Sequence, residues 1–527
     1  MAIRYSKLSG EDIIGRGYVR WVKNQLPVAF LRQQILLLAL VIASTIMLIL
    51  TNLFTTDFEY DTFEDLSSDF NYGVIVDCGS SGSRAHIFKW SGDPLVNRVE
   101  LVRDKSSSKP LSKHITPGLS SLRDEPDRAS EYMEPIMTFI TDSIPGDKHL
   151  DTPVYFLATA GLRLLDDSTQ KKILSDITRD FRAKYNFPRI KSQVISGTSE
   201  GTYSWLSLNM RTKFQNASSS GKSFGMIEMG GASTQVAFEL SSDVSKSILE
   251  DLKDKDAIDA FKNEQRLLNL GPGNSVTLFA TTFLGLGVNS ARSAAIDLMV
   301  RDYLLGTNET IKTVDHTKFD IRLQDPCLTS SSSEIVLKPT TLLGDSLSPL
   351  GYILKNSDES FQVHLNGTGN FLNCLNLLER VLKIVKIEKL NCPPHPRPCP
   401  MALLGSNFIP YQHYPFIGLS EMFFTTHEMM NSSGLFNRSK VLHETQRICG
   451  TEYNKLLELY PPNQITYKDR ILYECFKASW LLTLLHSSGF RMPVEYDNFR
   501  TIEMLDGEEI DWTIGAMVSE IALNRLN

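Results

Sequence analysis

Two segments of the chain share one layout of apolar and polar positions. The first has an apolar run, then Asp77, then a turn of Gly and Ser, then the alternating segment 85–88. The second repeats this order with Glu228, a turn of Gly, Ala and Ser, and segment 236–238. Alternation is typical of β-strands, and Gly with hydroxyl residues is typical of tight turns. Each segment therefore predicts a β-hairpin with a polar tip.

A third strand and a helix are predicted between these hairpins. Val154 to Ala158 form an apolar run, and the helix that follows has Ile173, Ile177 and Phe181 on one face. Alternating strands and helices predict the α/β class. Because the strand pattern restarts beyond Gly225, and because 527 residues exceed one ordinary core, we expect a duplicated lobe.

One long segment is uncharged. Residues 33–56 carry no charge, and they are long enough to cross a bilayer as a helix of roughly 20 residues. Basic residues precede this segment and acidic residues follow it, which places the N-terminus in the cytoplasm. A cleaved signal peptide is the alternative, but the basic leader is long and no clear cleavage site follows. We predict a cytoplasmic tail at 1–32, a transmembrane anchor at 33–56 and a stem at 57–70.

Sequons and cysteines agree with exposure of the rest of the chain to a lumen or the exterior. Six of the seven cysteines lie in the C-terminal half, as disulfides of an oxidising compartment would. Sequential pairing is the simplest of fifteen connectivities, and Cys78 is left as a buried small residue. The candidate glycosylation sites are Asn216, Asn308, Asn366, Asn431 and Asn437, and the candidate disulfide cysteines are Cys327, Cys374, Cys392, Cys399, Cys449 and Cys475.

The hairpin tips carry the candidate chemistry. Glycines let backbone N–H groups converge on phosphate oxygens, and a carboxylate at a strand end can hold a hydrated divalent cation. Two such hairpins facing each other would hold one phosphate chain between two lobes. The net charge of −7 comes without a basic stripe and interleaved aromatic residues, so we expect no nucleic-acid partner.

Five ordered blocks resemble the signature regions of the apyrase, or nucleoside triphosphate diphosphohydrolase, family. A single hairpin would be shared with sugar kinases and chaperone ATPases, whereas five blocks in order are specific. Together they span nearly all of the chain after the stem. The blocks are Asp77–Arg84, Ala158–Leu165, Ile195–Trp205, Glu228–Gln235 and Trp512–Met517.

The resemblance implies a pair of actin-like (ribonuclease H-like) lobes with nucleotide and metal in the cleft. Lobe I would comprise residues 71–193 plus 495–527, and lobe II residues 194–494. The expected fold class is therefore α/β, with two such lobes and one N-terminal transmembrane helix. A homo-oligomer is compatible with this architecture.

The resemblance also implies the catalytic residues. Hydrolysis of a phosphoanhydride needs charge neutralisation, an in-line water and a group that orients or deprotonates that water. Glu200 matches the family's general base, although an acid at a helix N-terminus is also favoured by the helix dipole alone. Ser233 and Gln235 match the positions that hold the attacking water.

Further matching residues would bind the phosphates and a Ca²⁺ or Mg²⁺ cofactor. Arg84 and Arg163 would each meet either a phosphate or a local acid. Glu228 stands where most of the family has Asp, which leaves the metal preference open. The implied phosphate-binding residues are Gly79, Ser80, Ser81, Gly82, Ser83, Arg84, Thr159, Gly230, Gly231 and Ala232, and the implied metal residues, mostly through water, are Asp77, Glu228, Thr159 and Trp512.

Cys78, Glu228 and the block Leu278–Arg292 are most similar to the Golgi and endomembrane branch of the family. The expected localisation is a single-pass type II Golgi membrane protein with a lumenal catalytic part; another endomembrane or the plasma membrane is the alternative. The expected reaction is hydrolysis of UDP or GDP, and of triphosphates, to the monophosphate in support of glycosylation. A phosphotransferase of the actin-like class and a non-catalytic nucleotide-binding membrane glycoprotein are the competing hypotheses.

Overall fold

The computed structural model of the chain describes residues 70–92, 99–104, 106–107, 109–210, 223–269, 275–306, 319–337, 361–387, 392, 398–460, 468–505 and 508–526. The strands are β1 (Phe70–Cys78), β2 (Ser83–Ser91), β3 (Glu100–Leu101), β4 (Ser112–Ile115), β5 (Val154–Ala158), β6 (Ile190–Val194), β7 (Gly225–Met229), β8 (Ser233–Glu239), β9 (Gln265–Asn269), β10 (Ser275–Leu284), β11 (Phe319–Asp325), β12 (Ser333–Leu337), β13 (Phe361–Gly367), β14 (Phe416–Ser420), β15 (Gly434–Leu435), β16 (Phe499–Thr501), β17 (Met504–Leu505) and β18 (Glu508–Glu509). The α-helices are α1 (Ala129–Ser143), α2 (Ala160–Arg163), α3 (Asp167–Lys184), α4 (Gly197–Asn209), α5 (Ser242–Asp251), α6 (Lys255–Asn263), α7 (Val288–Gly306), α8 (Phe371–Ile387), α9 (Glu421–His427), α10 (Arg438–Gly450), α11 (Tyr453–Leu459), α12 (Lys468–Leu484) and α13 (Trp512–Leu526).

The first predicted hairpin forms the centre of one sheet. The strand order is β3-β2-β1-β5-β6, and β4 also pairs with β2. β1 is parallel to β5, and β5 is parallel to β6. Val74, Ile75 and Val76 are all fully buried, as expected for a strand covered on both faces. Asp77 therefore lies at the carboxyl end of a central strand, where the chain turns into β2.

The second predicted hairpin forms the centre of a seven-stranded sheet. Its order is β15-β16-β14-β7-β8-β10-β9, with β7 antiparallel to β8 and parallel to β14. If β9 and the short edge strand β15 are set aside, five strands remain, and we number them by their order in the chain. From β10 across the sheet to β16 they lie in the order third, second, first, fourth, fifth. The first sheet has the same order when β4 is set aside. The predicted internal duplication is thus visible in the topology, and the α/β class is confirmed.

Helix α3 shows why the local sequence signals were sufficient in this region. Asp166 is its N-cap, and its side chain accepts a hydrogen bond from the Thr169 N–H at 3.0 Å, which satisfies one of the free amides of the first turn. Ile173, Ile177 and Phe181 are buried on one face, as predicted. This face packs in the core that also contains β1 and β5.

Helix α13 brings the end of the chain back to the first sheet. Trp512, Ala516 and Met517 are buried in one apolar cluster with Ile75 of β1 and Leu157 of β5. The strand β16, which precedes β17, β18 and α13 in the chain, is parallel to β14 and so belongs to the second sheet. The segment 495–527, which the predicted division assigns to lobe I, therefore contributes to both sheets; the division itself stays a prediction.

The three disulfides have the predicted sequential pairing. Cys327 is bonded to Cys374, Cys392 to Cys399, and Cys449 to Cys475. Two of them fasten long helices, since Cys374 lies on α8 and the last pair joins α10 to α12. Cys78 is a buried free thiol, as predicted, and burial raises its pKa.

The predicted localisation as a single-pass Golgi membrane protein with a lumenal catalytic part is wrong when it is judged by the helices of the described residues. Within the described ranges, every helix is too short or too polar to cross a membrane. The tail at 1–32, the anchor at 33–56 and all of the stem at 57–70 except Phe70 lie outside the described residues.

Candidate active site

The tips of the two hairpins meet. An added Cβ at Gly231 would lie 2.4 Å from Ser80 Oγ, and one at Gly161 would lie 2.8 Å from Ser80 Cα. Atoms cannot approach so closely without displacement, so the absence of a side chain at both positions is what allows the contact. The turn after β1 is therefore enclosed between the turn after β7 and the start of α2.

The second turn is braced by its own backbone and by the start of α7. The Gly230 N–H donates to the Ser233 carbonyl at 2.9 Å, which closes the turn. The Gly230 carbonyl accepts from Val288 N–H at 2.9 Å, and the Gly231 carbonyl accepts from Asn289 N–H at 2.8 Å. Gly230 thus faces the cleft while its amide is used inside the turn.

A cleft of about 270 Å³ lies where the hairpin tips meet. The predicted residues line it except Arg163 and the buried Ser83 and Gln235, which are 0% and 1% exposed. The predicted residues in the lining are Asp77, Gly79, Ser80, Ser81, Gly82, Arg84, Thr159, Glu200, Glu228, Gly230, Gly231, Ala232, Ser233 and Trp512.

Glu200 lies in the first turn of α4, whose N-cap Ser196 accepts a hydrogen bond from the Ser199 N–H at 3.0 Å. The Oε2 atom of Glu200 accepts hydrogen bonds from Arg163 Nη2 and, at 3.0 Å, from Gln235 Nε2. Burial raises the pKa of Glu200, and Arg163 opposes this rise. Arg163 therefore pairs with a local acid. A carboxylate held at one oxygen, with a raised pKa and facing a cleft, is suited to accept a proton.

Gln235 connects this carboxylate to Ser233. Its Nε2 lies 2.6 Å from Ser233 Oγ and 3.3 Å from Thr282 Oγ1, besides its bond to Glu200. The register explains the arrangement, since Gln235 is directly opposite Thr282 on β10 and Glu228 on β7, so the three side chains share one face. The three residues predicted to act on water form one hydrogen-bonded chain.

Asp77 is a buried acid in the cleft, and Arg84 only partly offsets the carboxylates around it. Burial raises its pKa well above the usual range, and Asp511, Glu200 and Glu228 raise it further. Its Oδ1 is buried without a hydrogen-bond partner. Such a carboxylate is stabilised by a cation or by a proton. Within the described part of the chain, no group of three His, Cys, Asp or Glu side chains is arranged to bind a metal ion directly.

Glu228, the second predicted metal residue, is held by two serines that the sequence reasoning missed. Ser204 Oγ donates to its Oε2, and Ser420 Oγ donates to its Oε1 at 2.9 Å. Burial and then Glu200 raise its pKa to about 7, while the two hydroxyls lower it. Ser204 lies inside a block that resembles the family, but Ser420 has no local signal, because it is the last residue of β14 and far away in sequence.

Asp511 is a further cleft residue that was missed, although it directly precedes Trp512. Its Oδ2 lies 3.4 Å from Nε2 of the buried His86, and its Oδ1 accepts from the Thr513 N–H at 2.7 Å. Burial alone would raise its pKa, but His86, Thr513 and Arg84 outweigh burial and lower it. Asp511 therefore contributes a negative charge to the cleft at neutral pH.

Two aromatic side chains, Phe423 and Phe424 of α9, form part of the cleft lining. The Phe423 ring stacks on His427 with 4.8 Å between the ring centres. The Arg470 guanidinium lies 4.5 Å from the centre of the Phe424 ring. Sequence reasoning did not identify these rings because an apolar pair on a short helix is usually core.

The other predicted residues are distributed as follows. Trp512 is 7% exposed and stacks on Tyr203 with 6.2 Å between ring centres, and Thr159 is 5% exposed.

Of the candidate glycosylation sites, Asn366 is exposed on β13, Asn431 is exposed before β15, and Asn437 is the exposed N-cap of α10. Asn216 and Asn308 lie outside the described residues.

Known proteins resemble the chain in sequence and fold. The model of the GDA1/CD39 (nucleoside phosphatase) family matches residues 64–526. Ectonucleoside triphosphate diphosphohydrolase 7 of Xenopus tropicalis is 31% identical over 503 residues, covering 87% of this chain and 75% of the relative. Nucleoside-diphosphatase mig-23 of Caenorhabditis elegans is 28% identical over 473 residues, covering 85% and 76%. The crystal structure of nucleoside triphosphate hydrolases from Neospora caninum is similar in fold, with a TM-score of 0.55 and 14% sequence identity. The match covers 87% of this chain and 93% of the Neospora caninum chain.

These matches confirm two predictions. The predicted apyrase or nucleoside triphosphate diphosphohydrolase relationship is confirmed by the family match and by the relatives. The prediction of an enzyme, a nucleoside phosphohydrolase, is confirmed with it. The similarity to the solved structures adds that the fold is shared. From residue 64 to residue 526, the chain belongs to the GDA1/CD39 (nucleoside phosphatase) family.

Proposed function

We propose that the chain hydrolyses nucleoside diphosphates, and also triphosphates, to monophosphate and phosphate in a metal-dependent reaction. The observation that carries this proposal is the hydrogen-bonded chain Glu200–Gln235–Ser233 beside two facing turns rich in glycine and hydroxyl groups. A protein that only bound nucleotide would need the turns but not a buried base tied to a water-positioning hydroxyl.

In this mechanism Glu200 Oε1 or Oε2 accepts a proton from water while Ser233 holds the water in line. The water oxygen forms a bond to the terminal phosphorus as the bond to the bridging oxygen breaks, and the nucleotide leaves with that oxygen. No covalent intermediate is needed. Gln235 keeps the base and Ser233 in register, because its amide donates to both.

The first turn, 79–82, and the amides of Gly231 and Ala232 would donate hydrogen bonds to phosphate oxygens from opposite sides. Arg84 would add positive charge at the same place, since it lines the cleft with them. Backbone amides and a guanidinium are well matched to phosphate oxygens because they present several fixed donors.

The described residues fit a divalent cation held mainly through water. The buried, unpaired Oδ1 of Asp77 and the mutual repulsion of Asp77 and Glu228 both favour a positive charge between them. Asp77, Glu228, Thr159 and Trp512 would hold Ca²⁺ or Mg²⁺, which when bound would neutralise charge on the phosphate oxygens.

For the substrate, Phe423 and Phe424 supply flat apolar surfaces on which a nucleobase would stack. Stacking tolerates different bases, because every base has a π-face. The rings therefore do not select a base, and our expectation that UDP and GDP are preferred comes from the similarity to the endomembrane branch of the family.

The test is phosphate release by the full chain, purified with its disulfides intact, from UDP, GDP, ADP, UTP and ATP in Ca²⁺, Mg²⁺ or EDTA. We expect release that requires the cation and that falls at least about 10²-fold in Glu200→Gln, because a general base contributes that much or more. Glu458→Gln, an exposed glutamate on α11, is the matched control.

Three outcomes separate the competing functions. Release that survives EDTA would overturn metal dependence. Turnover that appears only when an acceptor alcohol is added would indicate a phosphotransferase. Nucleotide binding without turnover by folded protein would indicate a non-catalytic binding protein.

A further inference from the structure

We propose that Ser204 and Ser420 are positioning residues that fix the Glu228 carboxylate for cation binding. The proposal rests on the proposed metal-dependent function and adds residues to it. It arises from three chain segments, α4, β7 and the junction of β14 with α9, which converge on one carboxylate.

The two serines hold both oxygens of Glu228. Ser204 donates to Oε2 and Ser420 donates to Oε1 at 2.9 Å. A carboxylate oxygen has two lone-pair sites, so one remains on each oxygen after the serines are bound. The plane of the carboxylate is thereby set, and the remaining lone pairs are available to water molecules around a cation.

The backbone of Ser420 is what aims its hydroxyl at Glu228. In the parallel pair β14–β7, Leu419 is opposite Glu228 and Ser420 is opposite Met229. Side chains alternate between the two faces of a sheet along a strand. With regular strand geometry, the Ser420 side chain would therefore lie on the other face of the sheet from the Glu228 side chain. Ser420 instead has φ 57° and ψ −125°, which breaks the alternation. A non-glycine residue in this region is strained, and such strain is characteristic of functional positions.

Ser204 ties Glu228 to the helix of the proposed base. It lies one turn after Glu200 on α4, on the same face, and its Oγ also donates to the Glu200 carbonyl oxygen at 3.0 Å. The single hydrogen of this hydroxyl is therefore shared between that carbonyl and Glu228 Oε2. Ser204 is 1% exposed. The Ser204 hydroxyl is therefore itself shielded from bulk water, and a hydrogen bond from such a group to a carboxylate is stronger than one made in water.

A glutamate needs this support more than an aspartate would. Its side chain has one more rotatable bond, and Glu200 and Asp511 repel the charged carboxylate. Without the serines, we expect Glu228 to sample orientations that turn its oxygens away from the cation. Partners of this kind around a metal site commonly change metal affinity by about 10–100-fold.

The test compares Ser204→Ala, Ser420→Gly and the double variant in the full chain. Glycine at 420 accepts the positive φ without strain, so it removes the hydroxyl without a folding penalty at that position. Ca²⁺ affinity is measured by calorimetry in the presence of α,β-methylene-UDP, beside the Ca²⁺ dependence of UDP hydrolysis. We expect each substitution to weaken Ca²⁺ binding by roughly tenfold, while kcat at saturating Ca²⁺ is largely kept.

Two controls separate positioning from a merely structural role. Thr202→Val removes a hydroxyl of the same helix that bonds to the Thr198 carbonyl and does not touch Glu228, so Ca²⁺ affinity should stay unchanged. In a Glu228→Asp background, the shorter side chain no longer reaches both serines, so their substitution should add little.

The outcomes are distinct. Unchanged Ca²⁺ affinity in Ser204→Ala and Ser420→Gly, with a clear loss in Glu228→Gln, would overturn this inference and leave the proposed function intact. The same serine effect in the Glu228→Asp background would also overturn it. Failure of Glu228→Gln itself to weaken Ca²⁺ binding or hydrolysis would overturn the proposed role of Glu228, and with it the basis of the inference.

Discussion

Arg163 and Glu200 form a buried ion pair at the edge of the cleft, with side-chain exposures of 13% and 11%. The bond joins Arg163 Nη2 to Glu200 Oε2, the same oxygen that accepts from Gln235. Arg163 is thus committed to the proposed base rather than to a phosphate, and it opposes the effect of burial on the base's pKa.

Removing this ion pair should move the pH dependence of hydrolysis. In Arg163→Ala the pKa of Glu200 rises further, because the effect of burial is no longer opposed. The unprotonated base then forms only at higher pH, so activity falls most on the acidic side and recovers as pH increases. The pH profile of kcat/KM for UDP measures this. Arg128→Ala, an exposed arginine, is the control, and an acidic limb that stays in place or moves to lower pH would contradict the prediction.

Ser233 and Gln235 should behave as one unit. We expect Ser233→Ala and Gln235→Ala each to reduce kcat by about 10²-fold, the effect typical of a misplaced reactant. The double variant should lose little more than either single one, since both substitutions interrupt the same hydrogen-bonded chain. Gln324→Ala, at an exposed position on β11, is the control. Fully additive losses would show that the two residues act independently.

Gly231 lies so close to Ser80 that a larger residue at this position should disturb the contact between the hairpin tips. Gly231→Ala would place a methyl group 2.4 Å from Ser80 Oγ and 2.9 Å from Asn289 Nδ2, so the Ser80 hydroxyl must turn away or the hairpin tips must separate. We expect a raised KM for nucleotides, since either change disturbs the turns proposed to bind phosphate, with little change in the thermal unfolding temperature. Gly146→Ala meets no atom within 4 Å and should leave KM unchanged. An unaltered KM in Gly231→Ala would argue against phosphate binding between the two turns.

Phe424 allows a test of base stacking. Phe424→Ala should raise KM for UDP and GDP by roughly 5- to 150-fold, because stacking on one aromatic ring contributes about 1–3 kcal/mol. Hydrolysis of inorganic tripolyphosphate, which has no base, should be unaffected. An equal loss with both kinds of substrate would place the effect in the phosphate site, for example through displacement of Arg470 from the ring.

The Cys449–Cys475 disulfide should contribute to stability without affecting chemistry. Its loop of 26 residues corresponds to about 3.5 kcal/mol of unfolding free energy in the chain-entropy treatment. The paired substitution Cys449→Ser with Cys475→Ser should lower the urea midpoint and leave kcat unchanged. The corresponding pair at Cys392 and Cys399, which are 7 residues apart, should cost less, about 2 kcal/mol. The reverse order would contradict the loop-length argument.

Local patterns were enough to predict the hairpins, strand β5 and helix α3. Each depends on neighbours in sequence: alternation around Asp77 and Glu228, an apolar run in β5, and an apolar face spaced at helical intervals in α3. The resemblance to a family supplied Glu200, Ser233 and Gln235, and the structure brings these three into one hydrogen-bonded chain. Their catalytic roles remain predictions.

What escaped sequence reasoning depends on partners far apart in the chain. Ser420 contacts Glu228 across 192 positions of sequence, and His86 reaches Asp511 from the first hairpin. The division into lobes is equally non-local, since β16 joins the second sheet while the neighbouring α13 packs on the first.

The sequence by itself determined the class of fold, the two glycine-rich turns and the family of the chain, because these follow from periodicity, turn chemistry and ordered motifs. Only the tertiary structure decided which charges compensate each other: Arg163 is paired with the proposed base, Glu228 is held by two serines, and Asp77 is left with an unpaired oxygen. The physical reason is that burial makes an unpaired charge costly, so its partner is selected by proximity in space, which a linear pattern does not record.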